Sequence, residues 1–262
     1  MAEILLEVCV DDIAGLEAAI EGGADRIELC SALALGGLTP SAGLMSAAQR
    51  SPVPCYAMIR PRPGDFVYSR REIEIMTNDI YFAASAGLAG VVFGANRPDG
   101  RLDAEALVAL SNAVGSMPRT LHRAFDLVPD LAEAIELAVE CEFERILTSG
   151  RAQHAVDGLA DIAETIRLAN GRISVMPGSG VDVTTVERIL SAVDVREVHS
   201  SASASHAVDN ERLVGFGFCA PQVKATDATR VRALKNRLIA WQEARSRREG
   251  EGPDGPTPVL DG

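Results

Sequence analysis

Two segments of the chain end in the same pattern of a glutamate, one apolar residue and a cysteine. Glu7 and Cys9 lie in LLEVC, and Glu28 and Cys30 lie in RIELC. Side chains alternate between the two faces of a strand, so if the apolar residues of each segment pack against helices, its glutamate and cysteine point the other way. Carboxyl groups gathered there can transfer protons, and thiolates can bind a soft metal such as Cu(I). Buried cysteines are also commonly inert, and this alternative stays open.

Two arginines follow another apolar run, in the segment IRPRPGDFVYS. Alternation along the strand turns Arg60 towards the same space as the glutamates, where it can neutralise Glu7 or Glu28 or bind an anionic ligand. The alternative is structural, with Arg60 and Arg62 forming salt bridges to these glutamates and to Asp65.

Histidines end two further apolar runs, His122 in LHRAFD and His199 in EVHSSAS. Because Leu121 and Val198 take the side that faces helices, both histidines are expected to point inward, together with Glu197. A histidine at the end of a strand can act as a general acid or base or bind a metal. For His122, a core histidine with satisfied hydrogen bonds is the alternative.

The apolar runs alternate with amphipathic stretches of about 10 to 18 residues, which is the pattern of repeated strand–helix units and a parallel sheet. The predicted strands are 4–9, 26–30, 55–60, 90–93, 119–123, 145–148, 173–176 and 197–200. The predicted helices are 13–21, 42–49, 70–86, 104–114, 131–140, 155–168, 184–192 and 227–245. Eight such units predict an α/β fold, a single-domain TIM (β/α)8 barrel whose active site would lie where the strands end. A doubly wound sheet is the alternative, but no G-x-G-x-x-G segment follows the first strand, so no nucleotide cofactor is expected.

Glycines and serines follow the sixth, seventh and eighth strands, in LTSG, MPGSGV and HSSAS. Backbone N–H groups in such loops bind anions, and the loops after strands seven and eight of a TIM barrel frequently form a phosphate site. The candidate residues are Gly178, Ser179, Gly180, Ser200 and Ser201. Tight turns also need glycine without any ligand, so the structural alternative remains.

Composition excludes several other classes of protein. The 262 residues carry a net charge of −12 and a pI near 4.8, which argues against non-specific binding to nucleic acid or to anionic membranes. No run reaches the roughly 20 apolar residues of a membrane span, and the first residues lack the features of a leader, so a cytoplasmic protein is expected. The five cysteines are odd in number and widely spaced, so they are expected to be reduced.

The domain is expected to span residues 1–247. Segment 248–262 is rich in Gly, Pro and Asp and is expected to be a flexible tail. The connection at about 202–226 is unusually long, and such segments are often lids or oligomer contacts.

The motifs named above, together with GGADRIELCS, GGLTPS and KATDATRVRAL, resemble those of the CutC family of copper homeostasis proteins, in the right order from about residue 4 to 240. The resemblance implies a cytoplasmic TIM barrel, commonly oligomeric, that serves copper tolerance and binds Cu(I) through cysteine, here Cys9 and Cys30. Some members have a second cysteine directly after the first, where this chain has Val10. In the loop after the third strand, the residue directly before Tyr68 and Ser69 is Val67. A ligand set that needs thiols at positions 10 and 67 is therefore absent.

Three hypotheses about function follow. The first is a copper homeostasis protein that binds Cu(I) through Cys9 and Cys30. The second is an enzyme acting on a small anionic or phosphorylated substrate, in which Glu7, Glu28 and His122 move protons. Its substrate-binding residues would be Arg60, Arg62, Asp65, Gly178, Gly180, His199, Ser200 and Ser201. The third is a scaffold whose interface, formed by the 202–226 connection, builds a homo-oligomer, a dimer or a tetramer.

Overall fold

Eight parallel strands form a nearly closed barrel in the computed structural model, which describes residues 3–250. The strands are β1 (Leu5–Val10), β2 (Arg26–Leu29), β3 (Cys55–Met58), β4 (Gly90–Phe93), β5 (Arg119–Leu121), β6 (Arg145–Thr148), β7 (Ser174–Pro177) and β8 (Glu197–Ser200). They pair in the order β7-β6-β5-β4-β3-β2-β1-β8, and β7 and β8 lie side by side without a hydrogen-bonded ladder. The predicted TIM barrel is confirmed.

Helices follow the strands on the outside of the barrel. They are α1 (Ile13–Gly22), α2 (Ala42–Ala48), α3 (Arg70–Ser85), α4 (Ala104–Val114), α5 (Leu131–Glu140), α6 (Leu159–Ala169) and α7 (Val186–Ala192). Several begin at a side chain that accepts a hydrogen bond from a free N–H group of the first turn, as Asp12, Asp103 and Asp130 do.

The core lies between the strands and the helices. Leu6, Val8 and Val10 of β1 and Ile27 and Leu29 of β2 are fully buried on the side that faces the helices. Fully burying each such side chain contributes about 1.5–3 kcal/mol. Since these alternate positions supply the apolar packing, the inward positions of the same strands can carry polar groups.

The loop after β3 is tied to the helix that follows it. Ser69 and Glu72 form a capping box at the start of α3, in which each side chain accepts a hydrogen bond from the backbone N–H group of the other residue. Arg62 Nε donates to Glu72 Oε1 at 2.5 Å, which fastens the Arg-Pro-Arg turn to the same helix end.

The long connection after β8 contains its own secondary structure, which the sequence pattern did not reveal. Strands β9 (Ser203–Ala207) and β10 (Gln222–Thr226) form an antiparallel pair, and the short helix α8 (Glu211–Gly215) lies between them. We call residues 203–226 the arm. Most of its residues are exposed, and Phe216 and Phe218 are 69% and 78% exposed.

The last helix, α9 (Ala228–Gly250), packs against α1. Gly22 permits this close approach, because a Cβ atom there would lie 2.4 Å from Cβ of Val231. The helix continues past the expected domain boundary at residue 247, and the remainder of the expected tail, residues 251–262, lies outside the described residues. Within residues 3–250, no helix is long and apolar enough to cross a membrane.

Candidate functional site

Charged side chains fill the barrel interior near the start of the strands. Arg26 of β2 donates to Glu7 of β1 through Nε and to Glu197 Oε2 of β8 through Nη2, the latter at 2.6 Å. Arg145 of β6 reaches the same Glu197 Oε2 at 3.1 Å, so the two arginines share one carboxylate. Both guanidinium groups lie over the Tyr56 ring, with Cζ 5.4 and 5.3 Å from its centroid. Opposite charges thus balance in a space closed to solvent.

Glu7 connects this ionic layer to the next layer along the strands. Its Oε1 lies 2.8 Å from Nδ1 of His199, and its side chain is fully buried. Burial alone would raise the pKa of Glu7, but the charges of Arg26 and His199 and the hydrogen bonds from both lower it to about 2. Glu7 is therefore a carboxylate at neutral pH, and it fixes the orientation of the imidazole ring.

The other side of the His199 ring faces Glu28 and Cys9. His199 Nε2 lies 3.8 Å from Oε2 of Glu28. Burial opposes the charge on the ring, but the proximity of Cys9 and Glu28 and the hydrogen bonds to Cys9 and Glu7 raise the pKa of His199 well above its usual value. Burial raises the pKa of Glu28 even though His199 acts against it, and Glu28 Oε1 has no hydrogen-bond partner among the described side chains.

Cys9, Glu28 and His199 form a cluster of possible metal ligands. One ligand atom from each residue lies within 4.8 Å of the other two, and all three residues are buried. Cys30 adjoins this cluster, because its Sγ donates to Glu28 Oε2 at 3.6 Å. Burial raises the pKa of both thiols, so they are protonated at neutral pH until a metal displaces the proton. All five cysteines are free thiols, as expected.

The structure gives Arg60 different partners from those expected. Its Nη atoms donate to the carbonyl oxygens of Leu35, Gly37 and Gly64 at 2.9–3.0 Å. The expected pairing of Arg60 with the glutamates is wrong, since the cation that binds Glu7 is Arg26. Arg60 instead holds the loops after β2 and β3 together.

Arg62 and Asp65 form the structural salt bridge that was the alternative for this segment. Arg62 Nη2 lies 2.9 Å from Asp65 Oδ1, and the same atom donates to the Val67 carbonyl oxygen at 2.7 Å. Both side chains lie on the solvent side of the loop, with Asp65 64% exposed. The pair shapes the turn and lies outside the buried cluster.

His122 is buried behind the same loop. Its Nδ1 accepts a hydrogen bond from the N–H group of Ala124 at 3.2 Å, and its Nε2 has no partner in the described structure. Burial, with the nearby charge of Arg60, lowers the pKa of His122 to about 3. The ring is therefore neutral, with its proton on Nε2. Phe66 covers it, with ring centroids 4.7 Å apart.

The glycine and serine loops are largely occupied by internal contacts. Gly178 packs closely, because a Cβ atom there would lie 2.5 Å from Cδ1 of Leu147. Ser200 Oγ donates to the Val181 carbonyl oxygen at 2.6 Å and accepts from the N–H group of Ala202 at 3.0 Å. Gly180 has φ +71° beside His154, and Ser201 is exposed. The phosphate-binding role of these residues stays a prediction.

Several residues of the site were missed in the sequence. Arg26 stands two positions before Glu28 on the same strand, and Arg145 stands two positions before Leu147, so strand alternation would have placed both inside the barrel. Phe66 and Tyr68 carried no such signal, because they lie in an irregular loop.

Comparisons with known proteins agree on one family. A profile of the CutC family matches residues 4–204. A family protein CutC of Sinorhizobium medicae is 58% identical over 240 residues, covering 92% of this chain and 98% of that protein. A human protein described as a copper homeostasis protein cutC homolog is 43% identical over 247 residues, covering 90% of each.

A solved structure is similar as well. The crystal structure of a protein described as a copper homeostasis protein, CutC, from Streptococcus agalactiae shares 32% identity with this chain. It covers 76% of this chain and 98% of its own, with a TM-score of 0.72. The similarity therefore extends over nearly the whole of that protein.

Proposed function

Because the chain belongs to the CutC family, we propose that this copper homeostasis protein binds Cu(I) at the cluster of Cys9, Glu28 and His199, together with the adjoining Cys30. The observation that carries the proposal is the convergence of Cys9, Glu28 and His199 within 4.8 Å in a buried space. Thiolate and imidazole are the side chains that suit Cu(I), whereas a carboxylate suits harder cations. Cys9, Cys30 and His199 are therefore the proposed ligands.

The surrounding residues support this assignment. Glu7 holds the proton of His199 at Nδ1, which leaves Nε2 to bind the metal, the arrangement commonly found around histidine ligands. Glu28 accepts the hydrogen bond of Cys30 and is next to Cys9, so it is placed to accept the proton that a thiol loses when it binds copper. Copper is here the cargo of the protein.

An anaerobic titration of Cu(I) against a competing chelator tests the proposal. The double variant Cys9→Ser/Cys30→Ser is expected to lose tight binding. The matched control is Cys55→Ser/Cys141→Ser, which removes two other buried thiols and is expected to bind as the wild type does. Weak binding by the wild type, or equal loss in both double variants, would refute the proposal.

The compartment and assembly are part of the same proposal. We propose a cytoplasmic protein, because Cu(I) and five free thiols both require a reducing environment. We also propose a homo-oligomer, because the exposed apolar side chains of Leu213, Phe216 and Phe218 on the arm favour burial against a second copy. Phe216→Ser/Phe218→Ser is then expected to lower the mass measured by light scattering, and an unchanged mass would count against this assembly.

A second candidate function is acid–base catalysis on a small anionic substrate. One observation favours it: the pKa of Glu7 is lowered to about 2, whereas burial raises the pKa of Glu28, so their environments move the pKa values of the two carboxyl groups apart. Glu28 would donate or accept the proton, and Glu7 would orient His199. Turnover of a small carboxylate or phosphate ester that Glu28→Gln abolishes would support this candidate, provided Cys9→Ser/Cys30→Ser leaves that turnover intact.

A further inference from the structure

Buried polar atoms without partners are concentrated at one part of the barrel mouth. Seven such side-chain atoms occur in the described structure, and five belong to Glu28, Arg60, Tyr68, Asn96 and His122. All five residues lie at or after the ends of β2 to β5. A buried polar group that lacks a hydrogen bond lowers the stability of the fold by about 1–3 kcal/mol. A concentration of such groups therefore indicates a binding site for a polar ligand.

Arg60 supplies a positive charge that no carboxylate within residues 3–250 balances. The side chain is buried, and its described hydrogen bonds go to three neutral carbonyl oxygens. Its Nε–H group has no hydrogen-bond partner among the described residues. By contrast, Arg26, Arg62 and Arg145 each pair with at least one carboxylate. A buried and unpaired charge is costly, and an anion at Nε would remove that cost.

Tyr68 and His122 add two neutral donors beside Arg60. Because Nδ1 of His122 accepts from Ala124, its proton is on Nε2, which is free to donate. Burial raises the pKa of Tyr68 to about 12 despite the nearby charge of Arg60, so the phenol keeps its proton. The Tyr68 hydroxyl lies near the Arg60 guanidinium and makes no hydrogen bond of ordinary geometry in the described part of the chain.

Phe66 lies beside both Arg60 and His122. Its ring centroid lies 4.9 Å from Cζ of Arg60 and 4.7 Å from the centroid of His122. Its backbone is fixed, because its carbonyl oxygen accepts from the N–H group of Asn96 at 2.8 Å. The Phe66 ring thus lies against both Arg60 and His122.

We propose that Arg60, Tyr68 and His122 form a binding site for the carboxylate of a small molecule, with Phe66 as its cover. The site offers Nε–H, Oη–H and Nε2–H, three donors that match the lone pairs of one carboxylate group. It holds one uncompensated positive charge, which balances a monoanion. A phosphate dianion would leave a second charge unbalanced in a buried place.

The carboxylate site adjoins the proposed copper cluster. Arg60 Nη1 donates to the Gly37 carbonyl oxygen, and a Cβ atom on Gly37 would lie 3.1 Å from Sγ of Cys30. Gly37 thus lies between Arg60 and the Cys30 thiol. The inference does not depend on copper, since none of its three donor residues is a proposed copper ligand.

Titration of the metal-free protein with sodium acetate at constant ionic strength tests the site. The readout is the NMR signal of the Arg60 Nε–H group in 15N-labelled protein, with inorganic phosphate as the comparison anion. The wild type is expected to show a saturable shift with acetate and weaker binding of phosphate. Tyr68→Phe is expected to weaken acetate binding about tenfold or more, because a hydrogen bond to a charged group is lost.

Tyr81→Phe is the matched control, because Tyr81 is 55% exposed on α3, and it is expected to bind acetate as the wild type does. Tyr68→Phe removes a hydroxyl that makes no hydrogen bond of ordinary geometry within the described residues, so its thermal midpoint is expected to stay unchanged or rise, which separates binding from folding. Absence of a saturable shift, equal affinity in Tyr68→Phe, or tighter binding of phosphate than of acetate would each overturn the proposal. Because the protein is metal-free, the outcome is independent of the Cu(I) titration.

Discussion

Oε1 of Glu7 lies 2.8 Å from Nδ1 of His199, on paired positions of adjacent strands β1 and β8. This contact joins two parts of the barrel interior with different chemistry. On one side, Glu7 belongs to an ionic layer with Arg26 that solvent does not reach. On the other, the His199 ring faces a carboxyl group and thiols. The contact therefore lets a structural charge network orient a reactive side chain.

Glu7→Gln is expected to weaken both stability and Cu(I) binding. The substitution leaves Arg26 buried without one of its two carboxylates, and breaking a buried ion pair in this way costs about 3–5 kcal/mol. It also replaces the carboxylate that fixes the His199 proton with a weaker, neutral acceptor, and disturbing such a partner lowers metal affinity about 10- to 100-fold. Urea unfolding and competitive Cu(I) titration measure the two effects.

The control for this substitution is Glu136→Gln. Glu136 pairs with Arg172 on the surface, where solvent screens the charges, so little change is expected in either measurement. Wild-type Cu(I) affinity in a folded Glu7→Gln protein would show that His199 does not need this partner.

The affinity for Cu(I) is expected to rise with pH. Burial raises the pKa of the Cys9 and Cys30 thiols, and the pKa of His199 is also raised, so near neutrality the metal must displace protons from its ligands. Each displaced proton changes the affinity by about tenfold per pH unit below the pKa of its group. Competitive titrations at several pH values measure the slope. A flat profile would mean that the bound copper is not held by these three residues.

Sequence reasoning predicted the barrel, because eight strand–helix units can be recognised in the sequence. It also predicted the inward direction of Glu7, Cys9, Glu28 and His199, because side chains alternate along strands. It did not predict which charges pair. Arg26 and Arg60 both point inward, and only the register between strands determines that Arg26 lies opposite Glu7.

The loop residues were beyond the reach of such reasoning for a different reason. Phe66 and Tyr68 have no periodic pattern, and the hydrogen bonds of Arg62 and Asn96 determine where that loop lies. The role of Ser200 was also hidden, because its hydroxyl is bonded to Val181 across a turn whose shape the sequence does not specify.

His122 is expected to make the protein less stable as the pH falls. Its pKa is about 3 in the folded protein, against 6.5 for a free histidine. Between these values the unfolded chain binds a proton that the folded protein does not, so stability falls as the pH decreases through this window.

His122→Asn removes the titration, and an asparagine can still accept from the N–H group of Ala124 at this cap position. Urea unfolding from about pH 7 to 4 should therefore show a smaller loss of stability in His122→Asn than in the wild type. Identical slopes would mean that His122 titrates normally in the fold.

Gly90→Ala is expected to disturb the ionic layer from the opposite wall of the barrel. Gly90 lies on β4 beside Tyr56, and a Cβ atom there would approach three atoms of the Tyr56 ring to 2.6–2.7 Å. The ring cannot move away freely, because Arg26 and Arg145 both lie over it. Overpacking of this kind typically costs about 1–3 kcal/mol, and urea unfolding measures it.

Gly43→Ala is the control, since Gly43 lies in α2 with open space around it, and alanine there should stabilise the helix by up to about 1 kcal/mol. If Gly90→Ala proved as stable as the wild type, the Tyr56 ring would have room to shift, and the arginines would not hold it in place.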